Sequence, residues 1–215
     1  MKKLKKIRIT ILLLLFLNIF LVNELLNTSK VLKEMENTLE NSAVYISQLQ
    51  KLTSIGRLTD EHIHSDIKIF IQNKEINLNI KELEAPEYGT IDFWKTNKVS
   101  KFVHLHEGVK NIGVIHVHAK GIKLGMFLTT INAVMNDTCL KLPQTISNNT
   151  YCDDEKNTLK VYVNGKQINN PQYHEFKDLD QILISYGNQT NQELKTQLSI
   201  VGNISCISSE NCVKE

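Results

Sequence analysis

Proline and glycine are scarce in this chain, three and nine among 215 residues. That scarcity excludes a collagen-like or low-complexity polymer, and 41% hydrophobic content excludes a disordered one. The length allows one ordinary domain, or one with an appendage. No acid precedes Glu24, whereas Lys2, Lys3, Lys5, Lys6 and Arg8 crowd the start. The remainder therefore carries 20 basic against 23 acidic residues. Such a balance offers no basic footprint, so nucleic acid is not an expected partner. No Cys-x-x-Cys occurs, which disfavours a thioredoxin-like redox centre. Gly-x-Gly-x-x-Gly, a phosphate-cradling Gly-rich loop and Gly-x-Ser-x-Gly are also missing.

What is present begins with an address. After the basic cluster, Ile9 to Val22 is apolar except for Thr10 and Asn18. A positive segment ahead of an apolar core is read by the export machinery, with the N-terminus left in the cytoplasm. Fourteen residues of helix span only about 21 Å, short of roughly 30 Å of hydrocarbon. Counting from Ile7 to Leu26 restores the length if Arg8 and Glu24 snorkel to the interfaces. No A-x-A-like site follows, so residues 1–23 are expected to stay as a signal anchor in the membrane. Secretion after cleavage is the alternative. From Glu24 to Thr53 apolar residues keep helical spacing, with Leu25, Leu32, Leu39 and Ile46 seven apart. Residues 24–55 thus read as a helical stalk, able to self-associate into a homo-oligomer, ended by Ser54-Ile55-Gly56.

Beyond the stalk the pattern changes to short strands. His62 to Ile71 alternates, and Asn73-Lys74 reads as a tight turn into a strand over Ile76–Ile80. Ala85 to Ser100 reads as irregular. Lys101–His106 and Val114–Ala119 form a second expected strand pair, and Leu124 to Asn136 an amphipathic helix. Asn164-Gly165 between Leu159–Val163 and Lys166–Ile168 is a type I′ hairpin signal. Gln181–Tyr186 reads as the closing strand and Thr190–Val201 as a last helix. The expected fold class is α+β, a mixed sheet with a packed helix over residues 56–187, then a C-terminal helix and cysteine loop over 188–215.

Four cysteines in an exported chain read as two disulfides. They fall into two local pairs, Cys139 with Cys152 and Cys206 with Cys212, although four cysteines allow three connectivities. Five glycosylation sequons start at Asn27, Asn136, Asn148, Asn188 and Asn203.

Leu159 to Lys166, with Asp178-Leu179-Asp180-Gln181-Ile182 to Tyr186-Gly187 after it, resembles the second half of a β-grasp (ubiquitin-like) domain. Over roughly residues 60–212 the chain also resembles an uncharacterised family of membrane-anchored archaeal and bacterial extracellular proteins. That family carries repeated His-x-His elements, the Asn-Gly hairpin and a C-terminal cysteine loop. The resemblance implies location and architecture but no activity.

Histidine carries the chemistry. Six of seven histidines form three His-x-His elements: His62/His64, His104/His106 and His116/His118. Random placement would give about a fifth of one such pair. On a strand, residues i and i+2 share a face, so each element presents two imidazoles side by side. The reading is a site for a divalent transition metal, zinc or copper, held by these six. Asp66 and Glu107 are candidate carboxylate ligands, or partners that fix a tautomer. Two other classes remain open: a metal-dependent hydrolase or lyase with Glu107 as general base, and a surface interaction protein without metal. His174, beside Pro171 and Tyr173, reads as structural.

Overall fold

The computed structural model describes residues 2–78, 91, 100–105 and 113–209, with backbone only for 2–15. His106, Glu107, Cys212 and most of the Ala85–Ser100 segment lie outside them. The chain divides into two compact units, Met1–Thr53 and Ser54–Glu215.

The first unit is a single helix, α1 (Lys2–Thr53). Its heptad leucines Leu25, Leu32 and Leu39 are exposed, as is Ile46. Ser54, at φ 58°, turns the chain into the left-handed region and ends the helix where the sequence places its stop. Among the described residues, no helix is long and apolar enough to cross a membrane. The apolar run expected as an anchor over residues 1–23 lies mostly outside the residues whose side chains are described.

The second unit is α+β around a mixed sheet. Its strands are β1 (Ile63–Ile71), β2 (Lys74–Glu75), β3 (Val103–Leu105), β4 (Val114–Val117), β8 (Thr158–Val163), β9 (Lys166–Gln167) and β10 (Gln181–Gly187). The order is β3-β4-β1-β10-β8-β9, with β2 hydrogen-bonded to β1. β1 and β10 run parallel, Ile67 opposite Ile182; the other pairs are antiparallel. A second sheet joins β5 (Val134–Met135), β6 (Cys139–Lys141) and β7 (Thr150–Cys152). Cys139 and Cys152, opposite each other on β6 and β7, form a disulfide. Cys206 is also disulfide-bonded.

Alternation assigns the two faces of the main sheet. Ile67, Ile69, Ile115, Val117, Val103, Leu105, Ile182 and Ile184 lie in the principal core. That core is covered by α2 (Leu124–Thr130), through Leu124, Phe127 and Leu128, and by Met135 and Leu140 of the small sheet. The intervening residues form the opposite face. There Phe70 and Leu183 pack with Val201, Leu198 and Tyr162 beneath α3 (Asn191–Ile200). Thr190 starts α3 with a reciprocal capping box to Glu193. Asn73 fastens the helix to the β1–β2 turn, donating to Glu193 at 2.6 Å and accepting from Gln197 at 2.8 Å.

Three local expectations need correction. The turn after β1 is Gln72-Asn73, both at positive φ, and the strand beyond it is Lys74–Glu75 rather than Ile76–Ile80. Residues 79 and 80 lie outside the described residues. The helix expected over Leu124–Asn136 stops at Thr130, because Asn132 adopts φ 59° and Val134–Met135 pairs with β6 instead. Tertiary pairing overrides an apolar spacing that suits either structure. The Asn164-Gly165 hairpin forms as expected, with φ 51° and 76°.

Candidate metal centre

The imidazoles come together because β4 lies between β3 and β1. Antiparallel pairing sets His116 opposite His64 on one side and opposite His104 on the other. All three rings stand on the face that α3 covers further along. Gly113, at φ 83°, precedes β4; a Cβ there would collide with the Ile67 carbonyl oxygen, so only glycine lets the strand approach β1 this closely. One more step along β4, the backbone of His118 is held on both sides. Its N–H donates to the Phe102 carbonyl at 2.9 Å and its carbonyl accepts from Thr59 N–H at 2.7 Å.

Five of the six expected ligands therefore converge. The His116 ring centroid lies 4.0 Å from that of His118, 4.2 Å from His64, 4.6 Å from His62 and 5.2 Å from His104. Two triads have ligand atoms mutually within 4.8 Å: His62, His64 and His116, and His104, His116 and His118. Bonds of 2.0–2.1 Å to tetrahedral zinc set neighbouring nitrogens about 3.3 Å apart. Closing either triad on an ion thus needs ring movements of about 1.5 Å or less, within the reach of small χ rotations. His64, His104, His116 and His118 are no more than 4% exposed, whereas His62 is exposed. Burial, and then repulsion from His118, His64, His104 and His62, push the His116 pKa down. The ring stays neutral at ordinary pH, the form in which imidazole binds a metal.

Two tautomers follow from the hydrogen bonds. His104 Nδ1 lies 3.1 Å from the Ser100 carbonyl oxygen, which can only accept, so Nδ1 carries the proton and Nε2 the lone pair. His64 Nδ1 lies 3.1 Å from Ser209 Oγ. That hydroxyl gives its hydrogen to Asp178 Oδ1 at 2.7 Å, so it accepts from His64 Nδ1–H. His64 too is left with its lone pair on Nε2. Asp178 Oδ1 also accepts the His64 backbone N–H at 3.0 Å. Such outer partners orient metal ligands and raise their basicity.

Asp66 does something else. Both of its oxygens accept from the Ser205 N–H, at 3.1 and 3.2 Å, and Oδ2 also takes the Ser205 hydroxyl at 2.5 Å. Its carboxylate therefore holds the start of the short helix α4 (Ser205–Ser208) against β1, and Asp66 belongs to neither histidine triad. Burial raises its pKa, partly offset by those hydrogen bonds. His174 is structural, its Nε2 lying 2.8 Å from Asp180. The sequence reading misses Ser100, Asp178 and Ser209. Only Asp178 leaves a trace, in the Asp-Leu-Asp turn before β10. All five sequon asparagines are exposed. Compared with known proteins, the chain matches no family model, no curated protein and no solved structure, so the reading of the site stands on its geometry.

Proposed function

We propose that this chain is an exported, membrane-tethered domain that holds a divalent transition metal, zinc or copper, through His62, His64, His104, His116 and His118. The convergence of two all-imidazole triads on adjacent strands carries the reading. Two of the contributing rings have Nδ1–H engaged by outer partners that direct Nε2 to an ion. All-imidazole ligation suits Zn(II) and Cu(II) alike. Export is supported by the basic start with its apolar run, by the Cys139–Cys152 disulfide and by exposed sequons. The parallel pairing of the first and last main strands supports a β-grasp-like arrangement, and the exposed leucines of α1 support self-association of the stalk.

Metal analysis of the purified full-length chain tests the central statement. After growth with zinc and copper, wild type should retain at least one ion per chain, and the His104→Ala/His116→Ala variant should retain none. Equal metal content in both, or none in wild type, rejects it. Modification of lysines in intact cells by a membrane-impermeant reagent tests the location: labelling of Lys166 and Lys195 is expected, and protection of both rejects export.

A further inference from the structure

Building on that reading, we infer that the histidine cluster holds two metal ions, one on each side of a shared His116 ring. His116 belongs to both triads. The other members divide by strand: His62 and His64 come from the β1 side, and His104 comes from β3. Strands are spaced about 4.8 Å apart, so β1 and β3 lie about 9.6 Å from each other across β4. Two ligand nitrogens on one ion can be separated by no more than about 4.2 Å, twice a metal–nitrogen bond. A single ion ligated by both His64 and His104 would have to draw their rings together over His116. Each ring is instead held on its own side, His64 by Ser209 and His104 by the Ser100 carbonyl. Five imidazoles also exceed the four ligands of a tetrahedral site.

Two ions, each with three imidazoles, need no such displacement. Imidazole has two ring nitrogens but in its neutral form only one lone pair. When the second ion binds, the remaining N–H proton of His116 leaves to solvent, and the ring becomes an imidazolate that donates one nitrogen to each metal. The bond broken is N–H, the bond formed is N–metal, and no electron is transferred. The bridge contributes one negative charge between two dications, where the described ligand sets supply no carboxylate. The two positions differ in access. His62 opens the outer one to solvent, whereas every protein ligand of the inner one is buried.

Copper(II) titration of the full-length chain tests this, with bound copper counted by elemental analysis and unpaired spins by electron paramagnetic resonance. Wild type should saturate at two copper ions per chain, with a spin count less than half the copper count, because an imidazolate bridge couples the two spins. His62→Ala, at an exposed position that leaves the fold intact, should bind one ion with its full spin. His104→Ala should do the same, and His116→Ala should abolish the coupling. Saturation at one ion overturns the shared-ring site while leaving the metal-binding proposal standing. Two ions with full spin intensity in wild type also overturn it, and no copper at all overturns both.

Discussion

One face of one sheet does two different jobs in this protein. Toward β10 and β8 it carries Phe70, Leu183 and Tyr162, roofed by Leu198 and Val201 around α3. Toward β4 and β3 the same face carries His64, His104, His116 and His118, equally withdrawn from water. Aliphatic side chains at the second end would bury apolar area worth about 1.5–3 kcal/mol each, as they do at the first. Imidazoles there forgo part of that stabilisation. The difference teaches where stability and chemistry are separated, and substitutions at each end should behave oppositely.

The largest effect is expected at the histidine end. Metal at a thousandfold excess over its Kd should stabilise the folded domain by about 4 kcal/mol, a rise of about 10 °C in Tm. Scanning calorimetry with and without zinc reads this directly. His116→Leu should abolish the rise while leaving the metal-free protein at least as stable as wild type. An unchanged rise in that variant would mean that His116 is no ligand.

At the apolar end, Phe70→Ala should cost about 3 kcal/mol in urea unfolding and leave metal stoichiometry unchanged. Loss of bound metal in a folded Phe70→Ala protein would show that the two ends form one cooperative unit.

A smaller effect separates two buried aspartates. Asp180 accepts hydrogen bonds from His174, Asn164 and the Lys177 N–H. Burial opposes its charge, but these bonds outweigh it and hold its pKa below the ordinary 3.8. Its contribution is therefore present above pH 3.8 and is lost as the pH falls through the depressed value. Asp180→Asn should cost about 2 kcal/mol at neutral pH and flatten the acid limb of stability. Asp66, with its pKa raised, has the opposite sign: its contribution is greatest at acid pH and declines as the pH rises through the raised value. Stability-versus-pH curves for Asp180→Asn and Asp66→Asn should diverge, and parallel curves would contradict the assignment.

How far the sequence carries this picture depends on the range of the interactions involved. The Asn164-Gly165 hairpin and the His62–Ile71 alternation are decided by neighbours in sequence, and both are legible. So is the pairing of imidazoles within each His-x-His element, since it needs only period two. The end of α2 is not local: Val134–Met135 leaves the helical pattern because β6 offers it hydrogen bonds. Asp66 sits two residues from His64, on the same side of β1, and sequence alone makes it a candidate ligand or a partner that fixes a tautomer. Ser205, 139 positions later, claims it. The partners of His64 are equally remote, Ser209 being 145 positions away. No spacing rule reaches that far.

The smallest predicted effect follows from that remote contact. His104 is oriented by a backbone carbonyl, which no substitution of a side chain removes, whereas His64 is oriented by the Ser209 hydroxyl. Ser209→Ala should therefore weaken metal binding about tenfold, about 1.4 kcal/mol, at the triad of His62, His64 and His116. It should leave the triad of His104, His116 and His118 untouched. Ser209 is only half-buried, so global stability should change by less than about 1 kcal/mol. Calorimetric zinc titration resolves the two cases: a single weakened binding step supports the Asp178–Ser209–His64 relay, and an unaltered isotherm shows that His64 needs no such guide. Ser209→Thr, which keeps the hydroxyl, should restore the stronger step.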